Sequence, residues 1–309
     1  MKKILFINQN PPIKSISKVA YALSILLEYP SDYLYLINNF IDLKCDINGN
    51  NIEFVDKAIN FSNHNLFTTY SIKIPTQSIV NIGNDILNLI LNLINDGYYV
   101  HGIANLIDYY DRSYLIYGYD DDKKILHTIN HVKEGFYGKS ILTYDNYLNS
   151  LKLNDKNSYI GFIRKLNNNT HNVSILDIKG QIQNYAYIHN DSSILQGKNV
   201  FKKQIELLSN TKKYEKIEMK PFNILVEHKR LMADRIKYLI YTKGLDQKYL
   251  QKYQNIIKKA VYINNSCKMY NNSLNNKQIP LIQNNIQLLL KEEFLILDEI
   301  IESYNSKKI

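Results

Sequence analysis

The spacing of apolar positions predicts helices followed by a small sheet in the first half of the chain. Apolar residues at helical spacing predict a helix over residues 17–29, with Ser17 as its N-cap, and a longer helix over residues 84–96 that ends at Gly97. The longer helix is apolar on nearly every side, which indicates that it is mostly buried. Four segments rich in Tyr, Ile, Leu and Val come next along the chain: 98–104, 113–119, 124–130 and 136–142.

These four segments predict an antiparallel meander, because each has the length of a strand and polar turn residues separate them. Residues 120–123 (Asp-Asp-Asp-Lys) form the clearest of these turns, and Thr143 is a candidate N-cap for a short helix over residues 144–151. Helices combined with an antiparallel meander indicate an α+β domain. We expect this domain to cover residues 1–195.

From about residue 199 the pattern changes to helices. Apolar residues recur at helical spacing in four successive stretches, separated by segments that carry Pro221, Gly244 and Pro280. We therefore expect a separate all-α domain over residues 196–309. The four apolar stripes are Phe201, Ile205 and Leu208; Leu225, Met232, Ile236 and Leu239; Leu250, Tyr253, Ile257 and Val261; and Ile282, Ile286, Leu289, Leu290, Phe294, Leu297 and Ile301.

The positive charge of the chain is concentrated in its last third. The 309 residues carry a formal net charge of +9, whereas residues 1–199 alone hold 18 basic and 18 acidic side chains. The helical domain therefore carries the charge, which would attract either nucleic acid or an acidic protein. Only two arginines, Arg230 and Arg235, lie there, although arginine normally dominates base contacts. This scarcity argues against nucleic acid and favours an acidic protein partner, such as a carrier protein.

Several common classes of site have no support in the sequence. It contains no glycine-rich phosphate-binding loop and no Walker sequence. Its two cysteines, Cys45 and Cys267, have no metal-ligand spacing and make no disulfide framework. The apolar run at residues 4–7 is too short for a signal peptide, and no run approaches the roughly 18 apolar residues of a membrane helix. We therefore expect a cytoplasmic protein with no cofactor and no membrane segment.

Nucleophilic catalysis is the chemistry for which the sequence offers candidate residues. It needs a nucleophile, a base within hydrogen-bond reach and usually a third group that orients the base. Cys45 is the only thiol in the predicted first domain, and His101, His127 and His131 are candidates for its base. No basic neighbour except Lys44 is present to lower the pKa of the Cys45 thiol. The competing interpretation is therefore an unreactive, half-buried thiol.

We expect structural roles for three histidines and for the second cysteine. His127 and His131 share one face of a predicted strand, because residues four apart in a strand point the same way, but two ligands alone are weak support for a metal site. His228 falls on the apolar stripe of the second C-terminal helix, where we expect a buried histidine with satisfied hydrogen bonds. Cys267 is expected to pack as a small apolar side chain.

Two short segments resemble a known protein family. Residues 113–124 (Ser-Tyr-Leu-Ile-Tyr-Gly-Tyr-Asp-Asp-Asp-Lys-Lys) are similar to the strand–turn–strand of papain-like proteins related to the butirosin-biosynthesis acyltransferase BtrH and to bacteriocin-leader peptidases. Residues 227–232 (Glu-His-Lys-Arg-Leu-Met) resemble the same proteins. The resemblance implies a papain-like α+β core followed by helices. It also implies transfer of an acyl or aminoacyl group from a thioester to an amine in bacterial natural-product assembly.

The resemblance assigns catalytic positions that this chain fills only in part. The family nucleophile is a cysteine at the start of the first helix, where this chain has residues 14–17 (Lys-Ser-Ile-Ser). The family histidine stands where this chain has Arg112, and a guanidinium stays protonated and cannot act as a general base. Asn130 matches the orienting residue of the family. Either the chemistry has moved to other residues or the chain has kept the fold and lost the reaction.

Two functional hypotheses follow. The first is an acyltransferase-like protein of specialised metabolism that acts on a carrier-bound acyl, aminoacyl or peptidyl thioester, with Cys45 as nucleophile, His101 as base and Asn130 as the orienting group. The second is a catalytically inactive, papain-like binding or scaffold protein in such a pathway. The partners would be an acidic acyl or peptidyl carrier protein and a small-molecule or peptide substrate. The residues expected to line the substrate cleft are Tyr109, Tyr110, Arg112 and Tyr119.

Overall fold

The computed structural model divides the chain into two compact units. Unit 1 contains residues 1–32 and 57–170, and unit 2 contains residues 33–56 and 171–309. The structure describes residues 1–29, 32–54, 67–103, 113–132, 136–152, 157–166, 175–187, 193–212 and 215–306. The chain therefore enters unit 2 twice, first with a short segment and then with the whole C-terminal part.

Within the described ranges, strands and helices are mixed up to residue 209, and helices follow. The strands are β1 (Lys2–Ile4), β2 (Leu43–Asp46), β3 (Glu53–Phe54), β4 (Phe67–Pro75), β5 (Tyr99–Ile103), β6 (Ser113–Asp120), β7 (Ile125–Val132), β8 (Phe136–Thr143), β9 (Asn157–Lys165) and β10 (Ile194–Gln196). The helices are α1 (Ser17–Leu26), α2 (Tyr33–Asn38), α3 (Thr76–Asn95), α4 (Tyr144–Lys152), α5 (Ile175–Tyr187), α6 (Lys198–Ser209), α7 (Lys220–Lys243), α8 (Lys248–Ser273) and α9 (Gln278–Ser306).

An antiparallel sheet of seven strands forms the centre of unit 1. Its strand order is β4-β9-β5-β6-β7-β8, and β1 pairs with the second half of β6, beyond the part that pairs with β5. The predicted meander of β5, β6, β7 and β8 is confirmed. Because neighbouring strands run in opposite directions, the end of β5, the start of β6, the end of β7 and the start of β8 lie along one edge of the sheet.

The two faces of this sheet are covered by different helices of unit 1. On one face Val100, Tyr114 and Leu126 belong to a hydrophobic core that they share with Ile90 of α3 and Tyr147 of α4. Helix α1 lies on the other face. Its side chains contact Ser113 of β6 and Tyr137 of β8. Ser113 comes directly before the core residue Tyr114, and successive residues of a strand point to opposite sides of the sheet.

Gly118 of the Gly-Tyr-Asp segment is required by the way β1 approaches β6. A Cβ atom on Gly118 would lie 2.6 Å from the backbone oxygen of Lys3 and 3.0 Å from the Cα atom of Ile4. Both neighbours are backbone atoms, so a larger residue would push β1 away from the sheet. The glycine that carries part of the family resemblance therefore has a structural reason in this chain.

Unit 2 is largely helical and includes a small sheet. Strands β10, β2 and β3 pair in that order, all antiparallel, and the segment that contains α2, β2 and β3 joins the same unit as α5 to α9. Helices α7, α8 and α9 pack one after another along the chain. Their exposed and buried residues alternate with helical periodicity, as expected for a bundle.

The Arg235 side chain of α7 holds the end of α2. Its guanidinium donates to the backbone oxygens of Leu36 at 2.9 Å and Ile37 at 3.0 Å, and also to that of Asn39. The last carbonyl groups of a helix have no intrahelical donor, and burying them without a partner is costly. Arg235 is fully buried and supplies these missing donors. On the same helix, His228 Nε2 donates to the backbone oxygen of Ile41 at 2.6 Å.

A second buried cation, Lys229, joins α7 to α5 and α9. Its ammonium group donates to Glu293 Oε2 at 2.7 Å, to the Tyr185 hydroxyl at 2.6 Å and to His228 Nδ1 at 3.2 Å. These three bonds use all the donors of an ammonium group. Glu293 also accepts hydrogen bonds from the hydroxyls of Tyr185 and Tyr253. The network is fully buried and links four helices of unit 2, α5, α7, α8 and α9.

The α+β class with a helical C-terminal region is confirmed, and several details differ from the sequence predictions. Ser17 is not the N-cap of α1: Ile16 occupies that position, without a side-chain capping bond, and the helix ends at Leu26. Helix α3 begins at Thr76, eight residues before the predicted start. The predicted cap of α4 is confirmed, since Asn146 N donates to Thr143 Oγ1 at 3.2 Å. His228 is buried and hydrogen-bonded, as predicted.

The boundary expected between residues 195 and 196 falls inside β10. This strand belongs to unit 2, which begins with residues 33–56 and resumes at residue 171. In the part of the chain that the structure describes, no helix is both long enough and apolar enough to cross a lipid bilayer.

We predict that Lys229→Met destabilises the protein by about 3–5 kcal/mol, because it leaves the buried Glu293 carboxylate without its cation. Urea unfolding followed by circular dichroism measures the change. The double variant Lys229→Met/Glu293→Leu should recover most of the loss, since it removes both buried charges. Lys252→Met is the matched control, because its partner Glu299 is on the surface and the expected loss is below about 1 kcal/mol. A loss for Lys229→Met as small as that of the control would contradict the assignment.

We also predict a contribution of His228 to acid sensitivity. Burial lowers the pKa of His228 well below its ordinary value of 6.5, and the charge of Lys229 acts in the same direction. Below about pH 6.5 the unfolded chain binds a proton that the folded protein does not, so the unfolding free energy falls with falling pH by up to about 1.4 kcal/mol per pH unit. His228→Gln keeps an N–H donor without titrating. For this variant the slope of the unfolding free energy against pH should be smaller by about one proton. An unchanged slope would refute the prediction.

Candidate functional site

Three polar side chains on the buried face of α1 point at the seven-stranded sheet of unit 1. They are Ser17, Tyr21 and Ser24, spaced at i, i+4 and i+7, which places them on one side of a helix. The Tyr21 hydroxyl donates to the backbone oxygen of Ser113 at 2.9 Å, and the Ser24 hydroxyl lies 2.8 Å from that of Tyr137. We call these three residues the α1 polar stripe.

Ser17, at the first position of α1, is paired with a histidine. Its Oγ atom lies 3.3 Å from Nδ1 of His131, near the end of β7. The other ring nitrogen of His131, Nε2, lies 2.6 Å from the backbone oxygen of Lys14. A carbonyl oxygen only accepts, so Nε2 carries the hydrogen. Nδ1 of the neutral ring is then the acceptor, and it faces the Ser17 hydroxyl.

The surroundings of this pair are aromatic and mostly buried. The His131 ring lies 5.2 Å from the Tyr137 ring, and the His101 ring lies 5.5 Å from the Tyr21 ring. Burial raises the pKa of the Tyr137 hydroxyl, which therefore stays neutral. His101 and His131 are both 7% exposed, whereas Ser17 is only half-buried. Within this cluster the two imidazole rings are therefore enclosed, and Ser17 is more exposed than they are.

This arrangement contains the three parts of an activated nucleophile. Ser17 supplies the hydroxyl, His131 supplies a base whose Nδ1 atom faces it, and the Lys14 carbonyl fixes the tautomer of the ring. A separation of 3.3 Å is within the looser range seen without substrate. The first N–H groups of a helix lack intrahelical partners and carry partial positive charge, which favours a negative oxygen beside Ser17.

The predicted nucleophile, Cys45, belongs to the other unit. It is in β2 of unit 2, opposite Leu195 of β10, and is a free thiol that is 2% exposed. Burial raises the pKa of the Cys45 thiol to about 11, and the Asp46 carboxylate acts in the same direction. A thiol with these properties is mainly protonated near neutral pH. Cys267 of α8 is likewise buried, as predicted for a packing residue.

The predicted base and orienting group are both in unit 1, but on opposite faces of the sheet. His101 alternates with Val100, a member of the core shared with α3, so it points toward α1. Asn130 alternates with His131 and points to the α3 side. There its Oδ1 accepts from Ser140 Oγ at 3.2 Å, and its Nδ2 has no hydrogen-bond partner among the residues that the structure describes. The structure therefore does not bring His101 and Asn130 together.

The residues predicted to line a substrate cleft are described only in part. Tyr119 is 1% exposed on the α3 side of β6, and its hydroxyl donates to Asn95 Oδ1 at 2.8 Å, at the end of α3. Tyr109, Tyr110 and Arg112 lie outside the described residues. His127 and His131 do share a face of β7, but no group of three or more metal-ligating side chains occurs among the residues that the structure describes.

Sequence reasoning had named both members of the Ser17–His131 pair without joining them. Residues 14–17 stood at the family nucleophile position, and His131 was one of three candidate bases. The usable signal was the α1 polar stripe, because polar residues at i, i+4 and i+7 on an otherwise apolar helix require buried partners. Which residues serve as partners depends on the strand register, so the partners could not be predicted from the local sequence of α1.

The comparisons with known proteins add no family assignment. No protein-family model matches this chain, and no curated protein matches it significantly.

We predict that neither thiol reacts rapidly in the folded protein. Burial raises the pKa of Cys45 to about 11 and that of Cys267 to about 12, and both side chains are shielded from solvent. Titration with a chromogenic disulfide reagent near pH 8 should release less than one equivalent on the timescale of an hour, and two equivalents after unfolding in urea. The variant Cys267→Ser assigns any fast phase. Rapid native reaction at Cys45 would restore it as a candidate nucleophile.

Proposed function

We propose that this chain is an acyl-transfer protein with a papain-like first unit. Its substrate would be a carrier-bound acyl, aminoacyl or peptidyl thioester, and its setting specialised-metabolite biosynthesis. The observation that carries the proposal is the Ser17–His131 pair, with His131 oriented by the Lys14 carbonyl. A nucleophile at the start of a helix that packs on an antiparallel sheet is the arrangement that the family resemblance implies.

Ser17 replaces the family cysteine in this proposal, and His131 replaces the base lost at Arg112. In the first step Ser17 Oγ attacks the thioester carbonyl while its proton passes to His131 Nδ1. The carbon–sulfur bond then breaks, and the departing thiolate takes that proton. In the second step an amine attacks the Ser17 ester and gives a proton to Nδ1. The carbon–oxygen bond breaks and the proton returns to Ser17, so an amide is released and the protein is unchanged.

The charge distribution supports an acidic carrier protein as the partner, and the thiols support the proposed location. The basic helices of the C-terminal third suit an acidic carrier protein, because complementary charge accelerates encounter. We also propose a cytoplasmic location, which the two free cysteines support, since disulfides are rare in reducing compartments.

A second candidate function is a papain-like binding or scaffold protein without catalysis. It is favoured by Arg112, which occupies the position of the family base. In that case the Ser17–His131 hydrogen bond would only fasten α1 to β7. The two functions differ in whether the Ser17 hydroxyl is activated.

We predict that a biotinylated fluorophosphonate, which reacts with activated serine hydroxyls, labels Ser17. Labelling should disappear in Ser17→Ala and fall by roughly a hundredfold or more in His131→Ala, because the base is lost. Ser15→Ala is the matched control and should be labelled at the wild-type rate. Peptide mass spectrometry locates the adduct, and thermal unfolding confirms that each variant is folded. Absence of labelling in the folded wild type would reject the acyl-transfer proposal in favour of the scaffold.

A further inference from the structure

An exposed apolar surface runs along α8 and α9 of unit 2. Five large apolar side chains on these two helices are between 43% and 63% exposed. We call them the α8–α9 patch: Tyr262 and Met269 of α8, and Leu281, Leu288 and Leu295 of α9. Single exposed apolar residues are ordinary, but several on one surface indicate an interaction site.

Two features place the five residues on one surface. Within each helix they are spaced seven residues apart, which keeps them on one face. Across the helices, the ion pairs Lys252–Glu299 and Lys259–Glu292 fix an antiparallel register. Continuing this register brings Tyr262 beside Leu288 and Met269 beside Leu281.

The patch lies just outside the row of ion pairs. Lys252 and Lys259 are seven residues apart on α8, and helical geometry places Tyr262 and Met269 next to that row on its solvent side. The same holds for the three leucines relative to Glu292 and Glu299 on α9. The apolar residues of the two helices therefore face the solvent across a shallow groove whose two sides are α8 and α9.

Free positive charge borders this groove on both sides. Lys258 precedes Tyr262 by one helical turn, and Lys291 lies one turn from both Leu288 and Leu295. Neither lysine makes an ion pair with any residue that the structure describes, whereas Lys252 and Lys259 are already neutralised by glutamates. The groove thus has apolar sides, a row of neutralised ion pairs between them and unneutralised cations at its outer edges.

We propose that the α8–α9 patch is a docking site for an acidic amphipathic helix of a partner protein. Apolar residues of that helix, at i, i+3 or i+4 and i+7, would lie against the five patch residues, in the helix-in-groove mode. Its flanking carboxylates would meet Lys258 and Lys291. The patch deepens the proposed function by giving the acidic carrier a place to bind, and it rests on that function only for the identity of the partner.

Charge argues against a second copy of this chain, and shape argues against a membrane. A second copy of this chain would bring its own Lys258 and Lys291 to the same groove, and like charges across an interface oppose association. An anionic membrane would also attract the lysines, but a groove between two helices fits a third helix better than a flat surface.

The test uses two stapled helical peptides with identical leucines at i, i+4 and i+7. One carries glutamates along both flanks and the other carries lysines. Fluorescence anisotropy with the full-length protein measures their affinities at two salt concentrations. The variants are Leu288→Glu, Lys258→Glu/Lys291→Glu, and the matched control Lys202→Glu/Lys237→Glu, which makes the same charge change on exposed positions of α6 and α7.

The acidic peptide should bind the wild type more tightly than the basic one, and less tightly as salt rises. Leu288→Glu and the Lys258/Lys291 variant should each weaken it by about tenfold or more, or about 1.4 kcal/mol. The Lys258/Lys291 variant should also prefer the basic peptide, whereas the control should bind like the wild type.

Equal binding of both peptides, or an equal loss in the control, would overturn the proposal. So would self-association, or binding to phosphatidylserine vesicles, that Leu288→Glu abolishes while the peptide does not bind. The Ser17→Ala variant separates this inference from the proposed function, because it should bind the acidic peptide normally. Normal peptide binding without Ser17 labelling would reject acyl transfer alone.

Discussion

The arrangement of unit 2 depends on two cations buried on one helix. Arg235 supplies donors to the carbonyl groups at the end of α2, and Lys229 joins α7 to Glu293 of α9. A buried charge is tolerated when all its hydrogen bonds are made, and the ammonium of Lys229 makes three. Because both cations are on α7, this helix fixes the short segment of residues 33–56 to the C-terminal helices. The small sheet of β10, β2 and β3 can form only once that segment is in place.

Unit 1 follows a different principle, in which a polar stripe on a buried helix is matched by polar residues at one edge of a sheet. The sheet register brings Ser113, His131 and Tyr137 to that edge, and the spacing of Ser17, Tyr21 and Ser24 on α1 matches them. The hydrogen bond between Ser17 and His131 has two effects. It holds α1 on the sheet, and it orients a base toward a hydroxyl. The half-buried position of Ser17 distinguishes it from Ser24, which is completely enclosed.

Local patterns were sufficient for the meander, for the helices α1 and α6 to α9 and for the cap of α4, but they missed what depends on tertiary pairing. Strand β4 was not predicted, because its outer residues Tyr70 and Ile72 are exposed and it shows no clear alternation at the sheet edge. Strand β9 lies between β4 and β5, and its buried residues point to both faces, so no alternation marks it either. In α8 the predicted stripe contained Ile257, whereas the structure buries Ile256, because tyrosines and aliphatic residues offer two overlapping stripes. Ser17 looked like a local cap, and its partner His131 lies 114 residues away in the sequence.

The chain passes from unit 1 to unit 2, back to unit 1 and again to unit 2, and this order determines when each unit can be completed during synthesis. During synthesis on a ribosome, residues 36–41 emerge almost 200 residues before the side chains of α7 that donate hydrogen bonds to their carbonyl groups. Until then these groups must stay hydrated or find temporary partners, so the nascent segment waits while the rest of unit 1 is translated. Neither unit is a continuous stretch of sequence, and unit 2 cannot be completed until α9 has left the exit tunnel.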